Sequence, residues 1–324
     1  MKSNKKRTIN KPHKKGSKKV YDGECKRQLQ DKAVVGNLMI KCIPEYKDMS
    51  LDEAIKCIKY SDNSKTVKAL QNEDNSMPNA TIAYDLLLEA DIPNKTPSIS
   101  MYINVEAQND SNPGYSLLNR AIYYSSRIIS SQKNKDFYKS NYDGLKKVYS
   151  IWICTHPPKE KLDTINYYTI KEKCIKGKYK SKEDYKYINI IMLNVGENYD
   201  YENSKEVLEM CKQLFTNTGE KPEVVKRRLE KNYNIIRSVK EVSRMCNISE
   251  GIYNEGVQQG IEQGLQQGIE QGLQQGAFDA KVSIIAEMIK NGISKEIVFK
   301  TTKVDKQIIK EVNKILKKKE QEQQ

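Results

Sequence analysis

The stretch TIAYDLLLEADIPNKTPSISMYINVEAQND, residues 81–110, restricts the fold more than any other part of the chain. Successive side chains of a strand face opposite sides. Over 99–108, Ile99, Met101, Ile103 and Val105 share one face, and Ser100, Tyr102, Asn104, Glu106 and Gln108 share the other. Over 82–90, Ile82, Tyr84, Leu86, Leu88 and Ala90 line an apolar face with Asp85 opposite. Joined by DIPNKTPS (91–98), the two segments predict a hairpin, which sets residue 85 opposite 104. That parity brings Asp85 and Glu106 to the same polar face as diagonal neighbours, ~7–8 Å apart at the backbone. Two carboxylates with a backbone carbonyl and waters form a hard oxygen site suited to Mg²⁺. Such an ion lowers the pKa of a bound water and stabilises charge on a phosphate during in-line displacement. The same residues also fit a plainer role, as the solvent-facing side of a two-sided sheet.

The surroundings extend this into a domain. Strand patterns recur at 148–154, 165–170 and 187–195. Between the hairpin and the first of them, 115–132 predicts a helix with Leu117, Leu118, Ala121, Ile122, Ser125, Ile128 and Ile129 on one face. Arg120 and Arg127, seven residues apart, share a face of that helix and could hold phosphates or simply be solvated. Upstream, 29–60 reads as helical, with the S-x-x-E capping box Ser50–Glu53 near its end. Residues 61–80 read as a polar connection, and the pattern is helical from about 205 onward. Strand–strand–helix–strand order predicts an α/β domain with a helical C-terminal extension.

Charge and composition narrow the chemistry. The net charge of +14 sits at the ends: residues 1–20 hold nine basic side chains and no acid, and 295–324 hold nine Lys against five acids. The first stretch predicts a disordered basic arm, read either as a phosphate-binding tail or as a solvated one in a chain with 48 Lys against eight Arg. With only His13 and His156 available, Ser-His-Asp triads and His-rich zinc sites are excluded. Seven scattered cysteines without C-x-x-C spacing predict reduced thiols in a cytoplasmic protein. No apolar run approaches the length of a membrane span, and no signal peptide is expected.

Residues 255–276 repeat every four residues, with Gly256, Gly260, Gly264, Gly268, Gly272 and Gly276 each followed by Val257, Ile261, Leu265, Ile269, Leu273 or Ala277. Six glycines cost a helix about 6 kcal/mol relative to alanine. Close approach of a partner helix would offset that, and a period above 3.6 predicts right-handed supercoiling. A flexible Gly/Gln spacer is the competing reading. Beyond it, 282–324 predicts a basic helical hairpin, with a loose likeness to a helix-turn-helix unit around the turn at Thr301–Asp305.

The hairpin resembles the PD-(D/E)XK nuclease superfamily, in which an Asp strand precedes an E-x-K strand and a helix. More narrowly, the chain is similar to the recombination-promoting nuclease and PD-(D/E)XK nuclease family transposase group. The third motif there is commonly E-x-Q, here Glu106-Ala107-Gln108, and VEAQND, PGYSLLNRAIYYSSRIISSQ, KKVYSIWIC and the Gly-tetrad helix follow in the group's order. The resemblance, over roughly 25–280, implies a restriction-endonuclease-like core with a central mixed sheet flanked by helices. It implies Asp85 and Glu106 as ligands of Mg²⁺, with Mn²⁺ the alternative, and Gln108 in the place of the superfamily lysine. The expected divisions are a basic arm (1–24), the nuclease-like domain (25–204), a helical region (205–254), the repeat helix (255–281) and the basic hairpin (282–324). The implied function is metal-dependent hydrolysis of phosphodiesters, with DNA as the expected substrate, in a recombination or mobile-element setting, by a homo-oligomer. A catalytically degenerate, self-associating nucleic-acid-binding protein is the alternative, because glutamine can only hydrogen-bond where lysine would carry charge.

Overall fold

A computed structural model describes residues 14–60, 64–70, 73–74, 81–109, 113–182, 185–197, 206–216, 218–302 and 304–321, with side chains except those of 14–21, 246–260, 263 and 318–321. His13 and most of the connection at 61–80 lie outside the described residues. The chain divides into two units, residues 1–254 and 255–324.

The first unit opens with α1 (Lys14–Leu29), which corrects the expected disordered arm from residue 14 on, while 1–13 lie outside the described residues. Lysine is a good helix former, and Cys25 and Leu29 anchor the helix in the core. Asp31 caps α2 (Lys32–Cys42) by accepting from the N–H groups of Ala33 and Val34. In α2, Val34, Val35, Leu38 and Met39 are buried. The capping box at Ser50–Glu53 forms in both directions and starts α3 (Leu51–Lys56), so Glu53 has a structural role. A two-stranded ribbon, β1 (Glu73–Asp74) with β2 (Ile82–Ala83), follows.

Next come β3 (Leu86–Asp91), β4 (Ser100–Gln108), α4 (Leu117–Ser130), β5 (Val148–Cys154), β6 (Thr164–Thr169) and β7 (Ile188–Asn194). They form a mixed sheet of order β3-β4-β5-β7-β6. β4, β5 and β7 are parallel, while β3 and β6 run antiparallel at its edges. α5 (Val207–Phe215), α6 (Pro222–Tyr233) and the start of α7 (Val239–Lys290) complete the unit. One sheet face, with Leu86, Leu88, Met101, Ile103, Val105, Ile151 and Leu193, packs under α1, α2, α5 and α6. The expected α/β fold is therefore present: a mixed sheet flanked by helices.

Three details differ from expectation. Leu86 lies opposite Val105, so the hairpin is centred on 92–99, one residue later than its polarity suggested. The parity survives, and Asp85 now falls beside Glu106 rather than diagonal to it. Second, alternation breaks at Asp85, where the chain bends between β2 and β3. Ile82 and Tyr84 join Leu87, Tyr102, Ile128 and Val148 on one side, whereas Leu86 joins the main core on the other. Third, the polar face of β4 does not meet solvent: Ser100, Asn104 and Glu106 are buried. The apolar stripe of α4 docks there, with Ala121 against Trp152, Ile190 and Met192. Ile122, expected in that stripe, is exposed.

In the second unit, the rest of α7 is followed by α8 (Lys295–Thr302) and α9 (Lys306–Gln321). Val282, Ile285, Ala286, Val298, Ile308 and Val312 form its core.

Candidate active site

Two backbone hydrogen bonds tie the bend at Asp85 to the end of β4. The N–H of Asp85 donates to Glu106 Oε1 at 3.3 Å. In return the N–H of Ala107 donates to Asp85 Oδ2 at 3.1 Å. Each carboxylate is thus held by a backbone N–H of the segment that carries the other. This fixes both without using up their lone pairs, since a carboxylate accepts at about four sites.

The electrostatics of the pair are unfavourable as they stand. Burial raises the pKa of Glu106 well above the usual carboxylate value, the charge of Asp85 raises it further, and Arg120 offsets this only in part. Burial also raises Asp85, against the Ala107 N–H and Lys26, with Asp22 adding to the rise. A pair of like charges, one buried and one half-buried, both pushed up, is the pattern expected of two anionic ligands that share a cation.

The donors suit a divalent ion on chemistry as well. Both carboxylates offer hard oxygens. Asn104, which hydrogen-bonds Glu106 and donates to Ser150 Oγ at 3.1 Å, keeps its buried Oδ1 without a partner among the described residues. Among the described residues no three His, Cys, Asp or Glu side chains gather into a metal cluster. An ion here would complete its shell with water and substrate oxygens, which Mg²⁺ favours.

Two cations border the pair. Lys26 of α1 places Nζ 3.7 Å from Asp85 Oδ1, with its side chain 38% exposed. Arg120 of α4 donates to Gln108 Oε1 at 3.4 Å and to the hydroxyls of Tyr124 and Tyr115 at 2.9 and 3.3 Å. Its guanidinium stacks 4.9 Å from the Tyr124 ring centre and 5.3 Å from that of Trp152. Tyr124 in turn meets Tyr84 edge-on at 5.5 Å. The aromatic cage holds Arg120 against the carboxylate end of the sheet.

Asp85, Glu106, Gln108 and Arg120 therefore come together. Arg127 does not join them. It is 3% exposed, with Nε 3.0 Å from Asp74 Oδ2 and Nη1 3.1 Å from the Tyr123 hydroxyl. Its charge is committed to anchoring β1 to α4, which corrects its reading as a phosphate ligand. Sequence reasoning missed Lys26 and Asp22. Their only signal was a charged pair four residues apart, and nothing in the sequence says that their helix crosses the hairpin's end.

Residues 52–255 match the model of the PD-(D/E)XK nuclease family transposase, a span that includes Asp85, Glu106, Gln108 and Arg120 but not Lys26. No curated protein and no solved structure matches the chain.

Proposed function

The chain belongs to the PD-(D/E)XK nuclease family transposases, and from that premise we propose that it is a Mg²⁺-dependent endonuclease acting on DNA during recombination or element movement. The observation that carries this reading is the reciprocal pair of hydrogen bonds linking Asp85 and Glu106. It uses two backbone donors to hold a buried and a half-buried carboxylate together, an arrangement whose repulsion a bound cation would offset. A purely structural polar face needs no such pairing.

In this reading Asp85 and Glu106 hold the ion, with Mn²⁺ as an alternative occupant. When bound, the ion supplies an acidified water and neutralises charge on the phosphate. Arg120, fixed by Tyr115, Tyr124 and Trp152, orients the phosphate from the α4 side. Gln108, engaged by Arg120, hydrogen-bonds where a lysine would carry charge. Lys26 supplies the missing positive charge from α1, beside Asp85 rather than from β4.

A plasmid-nicking assay with and without Mg²⁺ tests this. Cleavage by the parent, lost in Glu106→Gln and Asp85→Asn, is the expected result. Cleavage that survives in both would place the chemistry elsewhere. No cleavage of DNA or RNA, together with no divalent binding by calorimetry, would favour the degenerate, nucleic-acid-binding alternative.

Self-association through the repeat helix is part of the proposal. In the described half of the repeat, Ile261, Leu265, Ile269 and Leu273 are 59%, 64%, 55% and 69% exposed. A Cβ added at Gly264, Gly268, Gly272 or Gly276 would meet nothing within 4 Å. Within one chain, then, neither column has the packing that would offset the cost of glycine in a helix. Sedimentation equilibrium should show an oligomer at tens of micromolar, an order-of-magnitude range for weak association. Replacing Gly264, Gly268 and Gly272 with Leu should dissociate it. A monomeric parent would refute the idea.

A further inference from the structure

Four of the six lysines of α9 lie on one side of it. At 100° per residue, Lys306, Lys310, Lys314 and Lys317 fall within an arc of about 80°. All four are exposed. No acid falls within that arc. Glu311 lies on its flank, 3.5 Å from Lys314 Nζ. The opposite side is already occupied: Ile308 and Val312 are buried, and Ile315 and Leu316 pack against the same cluster as Val282, Ile285 and Val298.

The connections are tight. Gly292 takes a left-handed φ of +91°, which ends α7. The N–H groups of Gly292 and Ile293 reach back to the carbonyls of Ile289 and Met288 at 3.1 and 3.3 Å. Ser294 caps α8 by accepting from the Ile297 N–H at 3.3 Å. Three residues, 303–305, separate α8 from α9. Asp305 Oδ1 then accepts from the N–H groups of Gln307 and Ile308, both at 2.9 Å. A short helix, a three-residue connection and a second helix with a polar outer face, braced by a preceding helix, is the architecture that lays its second helix into a DNA major groove.

We propose that the C-terminal unit binds duplex DNA by docking α9 in the major groove, at a site made of different residues from the Asp85–Glu106 pair. From Lys306 to Lys317 the stripe runs about 17 Å along the helix, enough to bridge a groove ~12 Å wide and reach the phosphates on both walls. A membrane surface is the wrong partner, because a basic amphipathic helix binds lipid through a free apolar face. Here that face is occupied by the unit's own core. This inference stands whether or not the core cleaves DNA.

The test is fluorescence-anisotropy titration of the full chain with a duplex, in EDTA and across a salt series. Replacing Lys306, Lys310, Lys314 and Lys317 together with Ala should reduce the slope of log K against log salt by about 3–4, near 0.9 for each phosphate that is no longer neutralised. Affinity at ~0.1 M salt should fall roughly ten-fold or more. The four-fold Arg variant should keep the parent's slope, which separates charge removal from misfolding. An Ala variant with the parent's slope and affinity would overturn the proposal. So would an equal loss on single-stranded DNA or polyglutamate, because that would mark a face for any polyanion.

Discussion

Two buried glutamates stand on the same face of one hairpin and meet opposite fates. Glu89, 4% exposed, sits toward the turn end of β3. Ser100 donates to it, and Lys59 and Lys146 approach Oε1 at 3.2 and 2.9 Å. Lys146 also pairs with Asp136, which accepts from the Tyr102 hydroxyl at 2.6 Å. Burial works against the charge of Glu89, but the bonds from Ser100, Lys146 and Lys59 win and hold its pKa down to about 2. Glu106, 2% exposed, sits at the other end with a carboxylate for a neighbour, and its pKa goes up. Burial is common to both, so the sign of the nearest partner decides. One end is neutralised within the fold; at the other, two carboxylates stay side by side, the arrangement our proposal assigns to a metal ion.

The largest effect expected from breaking this contrast is on catalysis. Glu106→Gln and Asp85→Asn should each cut Mg²⁺-dependent cleavage by at least ~100-fold, on the scale of removing one electrostatic stabiliser of the transition state. Both should leave the thermal midpoint of the metal-free protein unchanged or higher, since each removes one of two repelling charges. A lower midpoint would show that the pair is structural.

Glu89→Gln should do the reverse. It should spare cleavage per folded molecule and cost on the order of 3 kcal/mol in chemical denaturation, because Lys146 and Lys59 lose their buried counter-charge. The pH dependence has a definite sign. Glu89 is held below its ordinary value of 4.5, so its contribution is fully present above that pH and is lost as pH falls through about 2. Between those limits the parent should lose stability faster than Glu89→Gln. Parallel curves would mean that Glu89 is not the titrating group.

The smallest effect sharpens the comparison from the active-site side. Lys26 is the cation closest to Asp85, yet it is partly exposed, so its pull is about 1 kcal/mol once solvent screening is allowed for. Lys26→Gln should strengthen Mg²⁺ binding about five-fold by removing a competing charge, while slowing cleavage at saturating Mg²⁺. Calorimetry and single-turnover kinetics read the two separately. Faster cleavage alongside tighter binding would make Lys26 a competitor only.

How much of this was legible depends on distance along the chain. Alternation located all five strands of the sheet and the parity of Asp85 with Glu106, because both are local properties. Their adjacency was underestimated by the placement of a turn, 92–99 instead of 91–98. The bend at Asp85 was hidden because Tyr84 and Leu86 continue an unbroken apolar alternation while packing into different clusters. Burial of the polar face was illegible for another reason: the stripe on α4 was readable, but not which side of the sheet it would cover. Arg120 and Arg127 looked equivalent at seven-residue spacing. Only the fold shows that Asp74, from a connection read as merely polar, claims one of them.

α1 and α2 are fastened to their unit from far down the chain. Arg27 pairs with Glu241 at 3.1 Å, Arg237 reaches Asp31 and Gln28, and the Asn37 amide donates to the Tyr233 carbonyl at 2.8 Å. On the ribosome, the hairpin with both carboxylates is finished once residue 108 is made, but these fasteners wait for residue 241. At ~5–20 residues per second that interval is roughly 7–27 s. For its duration the helix bearing Lys26 has its core contacts through Cys25 and Leu29 but not these long-range bonds. The helix that carries Lys26 to Asp85 thus gains its last bonds only after translation has passed residue 241.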